Sequence, residues 1–312
     1  MSTGRALRSL LARDEILVLP GAFDALSARI IEDVGFRAVY ATGAGYANAA
    51  FGLPDLGFVG LAELAGHVGA MAEAVDIPVV VDADTGFGDL LQTRRTVRVL
   101  ERAGAAGIQL EDQVAPKRCG HFDGQQVIPV EEMVRKVAIA LDSRRNEELV
   151  VIARTDARNA EGIDAAVARA QAYAQAGADL VFVEAPLSRD ELLALPARLG
   201  VPAMANVVEG GKTPPASALD LQAAGYKVAL FANTALRASM AAVRDAIAIL
   251  SEDGSSERAL TRMVTWQERQ ASVRFDELLS LEGRYVRGDR DPAQRSTRRA
   301  GAGASASLHR ET

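Results

Sequence analysis

Lys117-Arg118-Cys119-Gly120-His121 carries the only cysteine of the chain, set between cations on a segment that Pro116 introduces and Gly120 loosens. A structural cysteine sits among apolar neighbours, and these residues cannot form an apolar face. Flanking cations ease loss of the thiol proton, which suits a group that gives or takes a proton in a reaction. Asp82-Ala83-Asp84-Thr85-Gly86 follows the apolar run Pro78 to Val81, and Glu111-Asp112 follows Gly107 to Leu110. Asp82 and Asp84 leave an extended strand on the same side and can offer oxygens to one ion, directly or through water. A lone Asp after a strand more often caps a helix or tightens a turn; the joint occurrence with Glu111 is what points to a metal. Oxygen-only ligation favours Mg2+ or Mn2+ over zinc, and the three histidines, at positions 67, 121 and 309, have no zinc spacing. The chemistry predicted is a metal-assisted reaction of a carbon acid, with Cys119 handling a proton.

Those groups need a scaffold, and the sequence supplies a repeated one. Short β-rich runs bounded by turn residues alternate with helical periodicity. The expected strands are Ile16 to Pro20, Ala38 to Thr42, Pro78 to Asp82, Gly107 to Glu111, Leu149 to Ala153, Leu180 to Glu184, Val201 to Ala205 and Tyr226 to Phe231. Helical patterns separate them, and further helices are expected over Thr234 to Leu250, Arg258 to Gln270 and Ser272 to Arg284. Four helices close on a similar phrase, with Gly35, Gly104, Gly177 and Gly225 placed to take the left-handed conformation that stops a helix. Eight such units predict an α/β fold, a closed (β/α)8 TIM-type barrel with additional C-terminal helices. The open dinucleotide-binding alternative lacks support, because Gly43-Ala44-Gly45 is not followed by the third glycine of its fingerprint. One domain is expected over residues 1–290, and the Arg-, Ala-, Gly- and Ser-rich stretch 291–312 reads as a disordered tail.

In barrel enzymes the reacting groups stand at the C-terminal ends of the strands. Here those ends carry Tyr40 and Thr42, Asp82 and Asp84, Glu111, Arg154, Glu184, Asn206 and Asn233. Arg154 either pairs with Asp156 or another carboxylate, or grips a substrate carboxylate through two parallel hydrogen bonds, the role we favour. A Schiff-base aldolase needs a pocket lysine, and none of Lys117, Lys136, Lys212 and Lys227 is placed for it. The net charge of −6 argues against a nucleic-acid partner. No apolar run approaches the roughly 20 residues that span a bilayer. A single cysteine fits a reducing compartment, with the cytoplasm as the default. Arg5, Arg8 and Arg13 could imitate an organelle presequence, but a helix capping the bottom of a barrel explains that opening as well.

At these residues the chain resembles the isocitrate lyase / phosphoenolpyruvate mutase superfamily. The likeness runs from Leu19-Pro20-Gly21-Ala22-Phe23-Asp24 through the Asp82 to Gly88 motif, Gln109 to Gln113, Lys117 to His121 and Ala153 to Asp156, to Phe182 to Pro186 and Ala205-Asn206. The Lys117 to His121 segment is similar to the lyase branch that acts on 2-methylisocitrate and 2,3-dimethylmalate. The resemblance implies a barrel whose last helix is exchanged between subunits, in a homotetramer of two dimers. It implies Mg2+ on Asp84 directly and on Asp82 and Glu111 mostly through water. Thr42, Gly43 and Ala44 would hold the 2-oxo-acid part, with Gly120, Arg154, Glu184 and Asn206 lining the pocket. Cys119 would ride a gating loop with Lys117 and His121, and protonate the leaving fragment of a retro-aldol-type cleavage of a 2-hydroxy di- or tricarboxylate. Tyr40 or a metal-bound water would be the base. Alternatives within the superfamily are oxaloacetate decarboxylation or hydrolysis and a phosphonate-forming mutase; a non-catalytic metabolite sensor is the alternative outside it. The wording after strand eight, Phe231-Ala232-Asn233-Thr234, is closer to the mutases, whereas Val207 to Pro214 looks more like alkylmalate lyases and their oxaloacetate-processing relatives.

Overall fold

The computed structural model describes residues 2–120, 122 and 124–286; His121 and the expected tail lie outside them. Its strands are β1 (Leu17–Ala22), β2 (Val39–Ala41), β3 (Val79–Asp82), β4 (Ala105–Glu111), β5 (Val150–Thr155), β6 (Leu180–Val183), β7 (Ala203–Asn206) and β8 (Val228–Phe231). They form one closed barrel in chain order, parallel throughout, with β8 returning to β1 through the pairing of Leu17 with Val228. Every predicted strand is present, its ends displaced by a residue or two.

Thirteen α-helices lie among the described residues: α1 (Thr3–Leu11), α2 (Ala25–Asp33), α3 (Gly43–Phe51), α4 (Leu61–Ala74), α5 (Leu90–Arg102), α6 (Val130–Ser143), α7 (Ala157–Glu161), α8 (Ile163–Gln175), α9 (Arg189–Leu199), α10 (Ala218–Ala224), α11 (Thr234–Asp253), α12 (Trp266–Ser272) and α13 (Phe275–Val286). Two were not expected. Glycines at positions 43 and 45 weaken helix propensity at the start of α3, and the Thr42 hydroxyl compensates by accepting from the Gly45 amide at 3.2 Å. Only five residues long, α7 is too short to show a period. The helix expected over Arg258 to Gln270 is a 3-10 stretch, Glu257–Arg262, followed by α12, because Thr265 caps a fresh helix start. The chain divides after Ala259 into two compact units, inside the stretch expected to be one domain. The first holds the barrel and α1 to α11; the second includes α12 and α13.

The four glycine stops behave as expected, with φ of 103°, 105°, 104° and 99° at Gly35, Gly104, Gly177 and Gly225. Alternation along each strand then builds two cores. Val39, Ala41, Val79, Val81 and their counterparts face the helices, while Leu19, Tyr40, Val80, Ile152, Phe182 and Leu230 fill the barrel. Leu7 and Leu10 of α1 join that interior cluster and plug its N-terminal end. Arg8 fastens the plug, donating to Asp179 Oδ1 at 2.8 Å and to the Glu148 carbonyl at 3.0 Å. A residual void of about 10 Å³ is left at that floor, too little to host chemistry, so reactants must enter at the opposite end. No helix among the described residues is long and apolar enough to cross a membrane.

Closure of β8 on β1 leaves no room beside Gly21, where an added Cβ would lie 2.0 Å from the Ala232 carbonyl oxygen. We expect Gly21→Ala to lower unfolding free energy by about 3 kcal/mol, since neither backbone can yield without opening the barrel. Urea denaturation measures it; an unchanged midpoint would mean the seam is looser than described.

Candidate active site

The C-terminal mouth of the barrel gathers carboxylates. One oxygen each from Asp82, Asp84 and Glu111 lies within 4.8 Å of the others. Asp82 ends β3 and Glu111 ends β4, while Asp84 sits two residues past Asp82 in a left-handed conformation, φ 48°. That conformation is uncommon for a residue with a side chain, and two bonds to its main-chain groups hold it: the Glu111 amide donates to the Asp84 carbonyl at 2.9 Å, and the Asp84 amide donates to the Asp82 side-chain Oδ1 at 3.2 Å. Both Glu111 carboxylate oxygens are buried without a hydrogen-bond donor. Burial, opposed by Arg154, pushes the Glu111 carboxyl well above its ordinary range, and burial, opposed by Lys117, pushes Asp84 up to about 6. Undonated, desolvated oxygens converging on one point fit a hard divalent cation bound through oxygen. Gly43 keeps the approach open, since a Cβ there would lie 3.3 Å from Asp82 Oδ2.

The cysteine loop closes over this cluster. Lys117, almost fully buried, places its ammonium 2.8 Å from Asp84 Oδ1 and in a short ion pair with Asp55. Burial alone would lower the lysine pKa; Asp84, Asp55, Glu111 and Asp82 together reverse that and raise it well above normal. Backbone latches fix the next three residues. Gln113 donates to the Arg118 carbonyl and accepts from the Arg118 amide, Gln125 donates to the Cys119 carbonyl, and Asn159 donates to the Gly120 carbonyl. A Cβ on Gly120 would come within 2.4 Å of Glu184 and 2.6 Å of Arg154, so only glycine lets the loop press this close. Cys119 thereby lines a cavity of about 100 Å³ together with Tyr40, Thr42, Ala44, Arg154 and Glu184.

Arg154 leaves β5 into this cavity with its fork already taken: Nε and NH2 donate to the two Asp156 oxygens at 2.9 and 2.8 Å. Both readings of this arginine therefore have a share, and the edge left for a substrate is NH1, 3.4 Å from Glu184 Oε2. Asp156 is itself anchored, since its amide donates to Asp112, a buried carboxylate that also accepts from Thr155 and Tyr173. Asn206 donates to Glu184 at 3.3 Å and keeps its own oxygen buried and undonated. Tyr40 donates to Gln109, which donates to Asp82; burial, then the Asp82 charge, holds the phenol proton well above its ordinary pKa. A phenol held in that state is a hydrogen-bond donor rather than a ready base.

Sequence reasoning thus brings together Tyr40, Thr42, Gly43, Ala44, Asp82, Asp84, Glu111, Lys117, Cys119, Gly120, Arg154, Glu184 and Asn206 around the mouth; His121 is outside the described residues. It missed Asp55, which arrives from the irregular loop between α3 and α4 and so escapes any rule about strand ends. Asn233 was visible at a strand end but assigned no role. Its Oδ1 is buried without a donor, and it lines the cavity together with Phe182, Val208 and Ala232.

Comparison with known proteins agrees with this geometry. The family model described as phosphoenolpyruvate phosphomutase matches residues 7–250. The 2,3-dimethylmalate lyase of Eubacterium barkeri is 39% identical over 92% of this chain and 100% of its own. The probable 2-methylisocitrate lyase 2 of Corynebacterium glutamicum is 44% identical over 88% of this chain and 89% of its own. Among solved structures, a phosphonopyruvate hydrolase in complex with oxalate and Mg++ superposes with a TM-score of 0.84 at 29% identity, covering 92% of this chain and 100% of that one. With the barrel, the acidic triad and the cysteine loop all in place, the chain belongs to the phosphoenolpyruvate mutase/isocitrate lyase superfamily.

Proposed function

We propose that this protein is a Mg2+-dependent carbon–carbon lyase that cleaves a substituted 2-hydroxy di- or tricarboxylate, of the alkylmalate or 2-methylisocitrate kind, to a 2-oxo acid and a carboxylate. The observation that carries the reading is that Cys119 lines the same cavity as Asp82, one of the three carboxylates of the Asp82, Asp84 and Glu111 cluster, in a chain whose relatives include lyases of both kinds. Asp82, Asp84 and Glu111 would hold the ion, with Mn2+ as a substitute; when bound it stabilises negative charge on the substrate's C2 oxygen. The first-turn amides of α3 at Gly43 and Ala44, with Thr42 before them, favour the anionic end of the oxo-acid part. Arg154 NH1 and the amide of Asn206 orient the rest of the substrate. As the C2–C3 bond breaks, its electron pair passes to the leaving fragment, and the Cys119 thiol gives that carbon its proton. The latched loop excludes bulk water, which would otherwise quench the developing charge. With the Tyr40 phenol held protonated, water near the triad is the better candidate to receive the C2 hydroxyl proton.

Assembly is part of the same reading. Of the residues of α11 only Leu236 is buried, and Met240, Val243, Ile247 and Leu250 are exposed apolar groups on a helix that a closed barrel would normally bury. A helix-exchanged dimer, paired into a homotetramer, would cover them. A cytoplasmic setting accords with the lone cysteine.

Asp84→Ala should abolish turnover and weaken Mg2+ binding while leaving the circular dichroism spectrum intact; full activity of that variant without metal would end the metal reading. Because the Asp84 carboxyl is pushed up to about 6, protons compete with the ion below that pH. Mg2+ affinity measured by calorimetry should therefore fall by about fivefold as pH drops from 6 to 5, and approach tenfold per unit below that. Cys119→Ser should lose about 10² to 10⁴ in kcat with little change in KM. If the serine variant cleaves its best substrate at the native rate while Asp84 stays essential, the thiol is not the acid, and the decarboxylase or mutase alternative replaces the lyase. Light scattering after gel filtration should give the mass of four chains, and a monomer would refute the assembly.

A further inference from the structure

Lys136 lies on the middle of α6, outside the barrel, and is 4% exposed. Its ammonium makes a single hydrogen bond among the described residues, 3.0 Å to the carbonyl oxygen of Thr85. No carboxylate among the described residues lies within ion-pair distance; Glu132 and Asp89 favour the charge only from farther away. A buried cation whose one hydrogen bond goes to a neutral acceptor is an expensive choice at a position where Leu or Met would pack without desolvating a charge. Burial accordingly lowers its pKa.

The acceptor explains the choice. Thr85 follows Asp84 in the turn that leaves β3, and this turn is strained: φ is 48° at Asp84, 85° at Gly86, 60° at Phe87 and 147° at Gly88. Asp84 and Phe87 carry side chains, which the left-handed region disfavours, for Phe87 most of all. A strained turn persists only when its surroundings over-determine it. Two neighbouring helices do so here. Lys136 of α6 holds the Thr85 carbonyl, and the fully buried Thr96 of α5 holds the next one, donating to the Gly86 carbonyl at 2.9 Å. Thr93 of α5 closes the remaining space, since a Cβ on Gly86 would lie 2.8 Å from its hydroxyl. The grip bears on residues 85 and 86, one and two past a carboxylate of the acidic triad.

We infer that Lys136, with Thr96, is a positioning residue for the cation site: from behind the barrel wall it holds the turn that aims Asp84, and so sets affinity for the divalent ion without touching it. The inference rests on the proposed metal site. It predicts a defect in ion affinity that excess ion restores, which a merely structural lysine would not give.

The test is calorimetric titration of Mg2+ into the metal-stripped full-length protein, run on the native chain, Lys136→Met, Lys136→Arg and Thr96→Val, with Asp84→Ala as the blank. Lys136→Met is expected to keep its circular dichroism spectrum and raise the Mg2+ Kd by about 10- to 100-fold, the usual effect of removing a group that orients a metal ligand. Its kcat at saturating Mg2+ should stay within about threefold of native. Lys136→Arg, which can reach the same carbonyl, should bind nearly as the native chain does. Should Lys136→Met fail to fold, Thr96→Val carries the test, freeing the adjacent carbonyl with the same loss expected. A folded Lys136→Met or Thr96→Val protein with native Mg2+ affinity overturns the inference. A native chain that gives no Mg2+ heat overturns the metal reading and this inference with it.

Discussion

The mouth of this barrel is organised by an excess of buried negative charge. Asp55, Asp82, Asp84, Glu111, Asp156 and Glu184 converge there, and Lys117 and Arg154 are the cations that the described residues set against them. Carboxylates withdrawn from water are stable only when paired, protonated or bound to a cation. Arg154 saturates Asp156 and leans toward Glu111 and Glu184, while Lys117 divides itself between Asp55 and Asp84. What is left over, the two undonated oxygens of Glu111 and the raised carboxyl of Asp84, is concentrated where a divalent ion would satisfy it.

The same imbalance couples the loop to the site. Lys117 pairs with Asp84, Cys119 lies two residues further on, and Gln113 pins the intervening Arg118 by amide and carbonyl. Charge compensation at the triad and the placement of Cys119 therefore rest on one short stretch of backbone. Gly120 lets that stretch lie close to the strand ends, since a Cβ there would strike Glu184 and Arg154.

Strands, glycine stops and the acidic triad were legible in the sequence because each depends on local pattern: apolar runs with polar ends, a glycine after a helical period, carboxylates spaced by two. Asp55 was not, as its contribution depends on how a loop folds back over the mouth. Nor was α3, whose glycines argue against the helix that Thr42 caps. Arg154 shows the intermediate case. Its place at a strand end was readable, but not that Asp156 occupies its fork, for that pairing is fixed by a bond from the Asp156 amide to Asp112 on the neighbouring strand's exit. Lys136 reads in the sequence as an ordinary helical residue, and only the distance to the Thr85 carbonyl gives it a purpose.

The cavity is not lined by charge alone. Val208, Leu230 and Ala232 add apolar surface, and Asn233 adds an amide whose oxygen is buried and undonated. Phe182, in the same lining, has the Arg154 guanidinium over its ring, 5.4 Å from the centroid. A cation is attracted to the electron-rich face of an aromatic ring, so Phe182 takes part in holding the one arginine that pairs with Asp156, Glu111 and Glu184. The charged and apolar linings therefore meet at Arg154, and a change at Phe182 would be felt by the carboxylates as well as by the cavity.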